Sequence, residues 1–337
     1  MKATRKKLSS SAMEKMFQVV RKIDITTVIV HLVLISAGAF LALFLSNLHQ
    51  TKTERRREVV MLEQLQQSLT DDIRNLEMSA EYRQATINGT KVLKEFLVNH
   101  HPWNDSMSRL FYQVSSTGMI FPHPGAFESL KSTGIDLVHN PDIRIGLFKV
   151  YEENFKSLNR QEENYSEILS QSWLPFISDR VMIDSAPGLL RPVDFETFRK
   201  DLRLLNFITL FNIENNALLS SLRQNIVDAT FLQKRIGFEL ERIQKGKQND
   251  LTLHTIRITL NGFADARVVT IPGTFNNWQT NADTMMKGND GWYLDLSLRP
   301  DWYMYKFMVD GIWLEDPVNA QKIQTEYGSY NSFLKVE

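Results

Sequence analysis

The spacing of apolar residues changes twice along the chain, and each regime predicts a different kind of structure. From Thr26 to Leu45 there is no period at all: 20 residues pass without a formal charge. As a helix they span about 30 Å, the thickness of a bilayer's hydrocarbon, so a transmembrane helix is predicted. A secretory signal has a shorter apolar core with a small-residue cleavage site, so the segment is expected to stay as an anchor. Next comes a helical period, with Leu62, Leu65, Leu69, Ile73, Leu76 and Ala80 stepping by threes and fours among charges. This predicts a stalk helix that pairs with a second chain or packs into the helices that follow. Near the end the period is two. Leu294, Leu296 and Leu298 alternate with Tyr293, Asp295 and Ser297, and Phe307 and Val309 alternate with Lys306 and Met308. These are half-buried strands.

The last run ends at Asp310-Gly311, a two-residue hairpin signal because both positions favour positive φ. That turn pairs Val309 with Ile312, Met308 with Trp313 and Phe307 with Leu314. Trp313 then shares a face with Met308 and Lys306, with Lys306 its diagonal neighbour at about 7–8 Å. The opposite face, Phe307, Val309 and Ile312, is the apolar one. An indole beside an ammonium group on the wet face suits stacking on a sugar ring whose hydroxyls need donors.

Four motifs extend this reading: Gly273-Thr-Phe-Asn-Asn-Trp278, Tyr305-Lys-Phe-Met-Val-Asp-Gly-Ile-Trp313, Asp316-Pro317 and Tyr327-Gly-Ser-Tyr-Asn331. By their order and spacing, residues 253–337 resemble the glycogen-binding domain of AMP-activated protein kinase β subunits, a family 48 carbohydrate-binding module. The resemblance implies an immunoglobulin-like β-sandwich of the E-set type that binds α-1,4-linked glucan. It implies that Trp278 and Trp313 stack on glucose units, that Lys306 and Asn331 hold hydroxyls, and that Ser329 adds a contact from the last loop. Tyr327 takes the position of an apolar loop residue that is usually leucine. Phe275, Asp310, Gly311, Asp316 and Pro317 read as turn and core residues, Asn276 and Asn277 as a turn cap, and Trp302 as packing.

Between stalk and sandwich, residues 85–245 read as a helical domain. Breaks fall at 99–104, 121–125, 140–141 and 184–188, and helical runs at Leu147–Phe155, Ile168–Ile177, Phe195–Phe211 and Leu218–Ile243. The predicted layout is a basic tail 1–25, transmembrane helix 26–45, stalk 46–84, helical domain 85–245, linker 246–252 and sandwich 253–337. The fold class is thus multi-domain: one membrane helix, a mostly α-helical middle and an all-β end. The amino-terminal part also resembles an uncharacterised bacterial membrane-anchored family. That resemblance rests on the basic start, the apolar helix and the segment Pro124-Gly-Ala-Phe-Glu-Ser-Leu-Lys-Ser-Thr-Gly134, followed by Asn140 and Tyr151. Phe127, Leu130 and Leu137 read as core, and Gly134 as a helix stop.

Composition narrows the function. Thirty-nine basic and 39 acidic residues cancel, so charge argues against a nucleic-acid partner. The absence of cysteine excludes thiol catalysis, disulfides and thiolate metal sites. No nucleophile elbow, zinc-protease helix or phosphate loop is present. His100 and His101 read as a helix-ending loop and His123 as a turn, while Glu152-Glu153 and Glu162-Glu163 read as solvated faces. The expected protein is not an enzyme and uses no cofactor or metal. Seven Lys/Arg before the apolar helix against four after it place the amino terminus inside and the larger part outside a bacterial cytoplasmic membrane. The expected function is single-pass, membrane-anchored α-glucan binding, with the membrane or stalk helix as the seam of any homo-oligomer. The competing expectation is a scaffold whose sandwich docks a protein and binds no sugar.

Overall fold

The computed structural model describes residues 25–99, 101–116, 124–183, 190–247 and 252–337. The basic segment 1–22 and the readings at His100 and His123 lie outside these. The chain divides into two compact units, Met1–Glu58 and Val59–Glu337.

Helix α1, Ile25–Val98, begins in the first unit. There its apolar side chains, from Val28 to Leu48, are exposed. Among the described residues this is the one helix long and apolar enough to cross a membrane, by length and composition.

In the second unit the α1 seam does not stand free as a stalk. Leu62, Leu65, Leu69 and Leu76 are fully buried in the helical core, each worth about 1.5–3 kcal/mol of transfer. The helix ends where Asn99 begins the predicted break. Asn104 then caps α2 (Asp105–Val114), its side chain accepting from Met107 N. Helix α3 (Gly125–Thr133) stops at Gly134, whose φ of 116° only glycine adopts readily. Phe127 and Leu130 on α3 are buried.

Asn140 caps the next helix, with Pro141 at its first turn. One helical run, 141–177, contains α4 (Pro141–Phe148), a π-helical segment Lys149–Asn154, α5 (Phe155–Glu167), a second π segment Ile168–Trp173, and α6 (Leu174–Ile177). The two separate runs predicted here are one because Phe155, Leu158 and Tyr165 carry the buried seam across the gap. Two short antiparallel strands follow, β1 (Val181–Ile183) and β2 (Leu190–Pro192), then α7 (Phe195–Phe198) and α8 (Leu202–Gln244).

Helix α8 corrects the sequence reading of Phe195–Phe211 within the run and at its carboxy-terminal end. A break appears at Asp201, whose side chain caps Arg203 N, and none appears between Phe211 and Leu218. The reason is Asn215, a polar residue that takes its turn in the seam. Its side-chain N–H groups donate to Phe211 O (2.7 Å) and the Tyr165 hydroxyl (3.1 Å), while its oxygen accepts from Arg83 (2.9 Å). The buried Arg83 in turn pairs with Glu162 at 2.5 Å. Glu162 is therefore not on a solvated face, and burial raises its pKa from the usual carboxylate range.

The sheet-rich end comprises β3 (His254–Asn261), β4 (Val269–Thr270), β5 (Met286–Lys287), β6 (Gly291–Leu298), β7 (Asp301–Tyr305), β8 (Phe307–Val309), β9 (Ile312–Leu314), β10 (Lys322–Gln324) and β11 (Tyr330–Val336). All ladders are antiparallel, in the orders β3-β6-β5, β4-β8-β9 and β10-β11-β7. The predicted alternation holds in β6, with Trp292, Leu296 and Leu298 buried and Asp295 and Ser297 exposed. They share one core with Ile258, Leu260, Val269, Ile271, Phe307 and Val336. Ile312 is a correction. It is 73% exposed rather than on the apolar face, because it is the first residue past the turn, on edge strand β9.

The sandwich is docked on α8. Val227 and Phe231 of α8 pack with Met304, Phe333, Trp302, Ile323 and Trp278. Lys234 lies over the Trp302 ring at 4.4 Å and the Phe333 ring at 4.8 Å. Lys335 reaches Glu241 at 3.2 Å. Trp302 is thus a packing residue, touching Phe333 of its own sheet and Lys234 of α8.

Candidate carbohydrate-binding site

Three local structures bring the site together. The first is the turn after β4. The Asn276 side chain accepts from Gly273 N (2.9 Å) and donates to Ile271 O (3.0 Å) and Asp283 (2.7 Å). This knot forces the next two residues into the left-handed region, Asn277 at φ 54° and Trp278 at φ 59°. Such a conformation is costly for a bulky side chain and persists only where its surroundings impose it. Trp278 N closes the turn on Gly273 O at 2.8 Å.

The second is the β8–β9 hairpin. Asp310 (φ 47°) and Gly311 (φ 85°) form its two-residue turn. The register is Val309 to Ile312, Met308 to Trp313 and Phe307 to Leu314, as the sequence predicts. The Asp310 carboxylate also accepts from Arg267 N and Val268 N, both at 2.9 Å, which makes it a structural residue. Lys306 sits where the chain passes from β7 to β8, its own N–H donating to Pro272 O at 3.0 Å.

The third is the loop 325–329 between β10 and β11. Thr325 N donates to Ser329 O (2.7 Å), and Gly328 supplies the positive φ of 78° that closes the turn. Thr325 also places the Ser329 hydroxyl, 3.1 Å from its own. Tyr327 stands at the tip, 85% exposed.

Trp278, Lys306, Trp313, Tyr327, Ser329 and Asn331 all line one cavity of about 890 Å³. Both indoles thus face the same space, with Trp313 the more open at 47% exposure. Lys306 is buried and donates to Ser329 Oγ at 2.5 Å. Of its three N–H groups the other two have no partner among the described residues. Burial lowers its pKa from the ordinary lysine value, an effect opposed by Glu315 and Glu326. Asn331, also buried, has no side-chain hydrogen bond among the described residues, so its amide is open to a ligand. The arrangement offers flat apolar faces together with donors and acceptors, the set a pyranose ring requires.

The structure adds residues that the sequence reading lacked. Glu326 lines the cavity, and its Oε2 is buried with no hydrogen-bond partner among the described residues. The opposite wall belongs to the helical part: Asp142, Lys149, Gln224, Asp228, Phe231 and Arg235. The one sequence signal for that wall is Asp228, a charge set between Val227 and Ala229 in the apolar pattern of α8 and buried with both. Among the described residues no group of three or more His, Asp or Glu could hold a metal ion.

Residues 256–337 match the glycogen recognition site of AMP-activated protein kinase. Over 69 residues the chain is 35% identical to the 5'-AMP-activated protein kinase subunit beta-2 of Mus musculus, Rattus norvegicus and Homo sapiens. The match takes in 20% of this chain and spans about a quarter of those relatives' length, 25% of each. Residues 31–174 match a separate family of unknown function, DUF6090. The two matches do not overlap: the carbohydrate-module likeness is confined to the sheet-rich end, and the helical wall of the cavity lies outside it.

Proposed function

We propose that this protein is a non-catalytic α-glucan-binding protein anchored in a membrane by residues 26–45. In this reading Trp278 and Trp313 stack on glucose units, Lys306, Ser329 and Asn331 bind hydroxyls, and Tyr327 closes over the chain from the loop tip. The observation that carries it is the convergence of all six residues on one cavity. Three separate turns bring them there, and each turn holds at least one residue at positive φ. Packing alone does not call for an ammonium, an amide and two indoles around an open space.

The excess of basic residues before residue 26 supports an amino terminus inside and the sandwich outside a bacterial cytoplasmic membrane, where it would meet environmental or periplasmic glucan. Contacts are few and sugar hydroxyls must shed water, so single-site affinity is expected between micromolar and millimolar, roughly −8 to −4 kcal/mol. Pairing of anchors in the bilayer would add avidity on a polymer.

The test is retention of the full chain on amylose resin, in a detergent without a sugar headgroup. The protein should bind and elute with free maltose, and Trp313→Ala should flow through. Flow-through of both proteins, or equal retention of both, would refute the proposal and leave the sandwich as a docking module.

A further inference from the structure

The cavity wall opposite the sandwich is a built polar surface. Asp228 of α8 is buried, and its carboxylate accepts from Lys149 (2.9 Å), Asn154 (2.8 Å) and Gln224 (3.0 Å). A buried carboxylate requires such company, so the three side chains are held to it. Lys149 and Asn154 come from the first π-helical segment of the 141–177 run and Gln224 from α8. Lys149 and Gln224 line the cavity, and Asn154 does not. Asp228 thus sets two side chains at the cavity edge. Lys149 gives it one of three N–H groups; Gln224 gives it one N–H and keeps its carbonyl oxygen. Among the described residues neither side chain makes another hydrogen bond.

A glucose ring carries hydroxyls around its whole rim. A platform on the sandwich alone would pair those on one edge and leave the other edge to water. Here the wall opposite the sandwich carries fixed donors and an acceptor. The volume of about 890 Å³ falls within the 300–1,000 Å³ typical of enclosed ligand sites, which suits a short oligosaccharide segment.

We infer that an α-glucan segment is gripped between two walls, with Lys149 and Gln224 of the helical part binding the hydroxyls turned away from the sandwich. This rests on the glucan reading of the cavity.

Calorimetric titration of maltoheptaose into the full chain separates the two claims. Lys149→Met and Gln224→Ala should each weaken binding by about fivefold to tenfold, one hydrogen bond's worth. Asn154→Ala removes a partner of Asp228 without touching the cavity and should bind as the unmodified chain does. If Trp313→Ala abolishes binding while Lys149→Met and Gln224→Ala change nothing, the second wall is refuted and the sandwich site stands. An equal loss in Asn154→Ala would also refute direct contact. Absence of binding by the unmodified chain would remove both claims.

Discussion

Arg235 of α8 holds Asp301 of β7 in a two-pronged ion pair, with Nε 3.1 Å from Oδ1 and the second prong on Oδ2. The same guanidinium reaches Asp142 at 3.1 Å. Both acids raise its pKa against the effect of burial. This is the polar clasp of the seam between the helical part and the sandwich. Arg235→Ala would leave Asp301 half-buried and unpaired, and is expected to cost about 2 kcal/mol in chemical denaturation. Arg235→Lys should recover only part of that, because an ammonium cannot make the two-pronged contact. Unchanged stability in Arg235→Ala would show that the apolar patch around Phe333 suffices.

Asn276 shapes the site without lining it. Asn276→Ala removes three hydrogen bonds and frees the turn that carries Trp278, with an expected loss of about 2 kcal/mol. Glucan affinity should fall with it. Asn277→Gly is the counterpart: at φ 54° glycine carries no steric cost, so stability should hold or rise by up to about 1 kcal/mol with binding intact. Thermal melts with and without maltoheptaose check both.

Lys306 gives opposite signs for stability and binding. Its folded pKa lies below the unfolded lysine value of 10.5, so between the two the unfolded chain binds more protons. Stability from this group therefore increases as pH rises through that window and is lost as pH falls through the folded pKa. The neutral amine is a weaker hydroxyl donor, so glucan affinity should fall over the same rise. Lys306→Met should bind weakly at every pH and lack this component of both curves. A flat affinity profile for the unmodified chain up to pH 10.5 would contradict the assignment.

Arg83, Glu162 and Asn215 test the helical core. Arg83→Leu leaves Glu162 half-buried without its cation and is expected to cost about 3–5 kcal/mol in urea denaturation. Because burial raises the Glu162 pKa, its contribution favours the folded state below the ordinary carboxylate range. That contribution is lost as pH rises through the folded value. Without Arg83 the loss should begin in the same ordinary carboxylate range, extend to a higher pH and be larger.

The sandwich, and the gathering of the six candidate residues on one cavity, were legible because the information is local. Asp310-Gly311 sets the hairpin register, and Gly273 to Trp278 and Thr325 to Ser329 each close within a few residues. What could not be read depends on partners far along the chain. The helical runs read from the sequence leave a gap between Phe211 and Leu218, and Asn215 bridges it only through Arg83 and Tyr165. Glu162 looked solvated because its cation is 79 residues away. Lys149, Gln224 and Asp228 line the cavity only because the sandwich docks on α8, through Trp302 and Phe333 side chains whose partners no local pattern names.

The most direct test of the central claim is calorimetric titration of maltoheptaose into the full chain in a detergent without sugar headgroups, alongside Trp278→Ala and Trp313→Ala. The expected result is saturable binding in the micromolar to millimolar range that each substitution weakens at least about tenfold, or about 1.4 kcal/mol. No binding by the unmodified chain, or binding that survives the loss of both indoles, would contradict it.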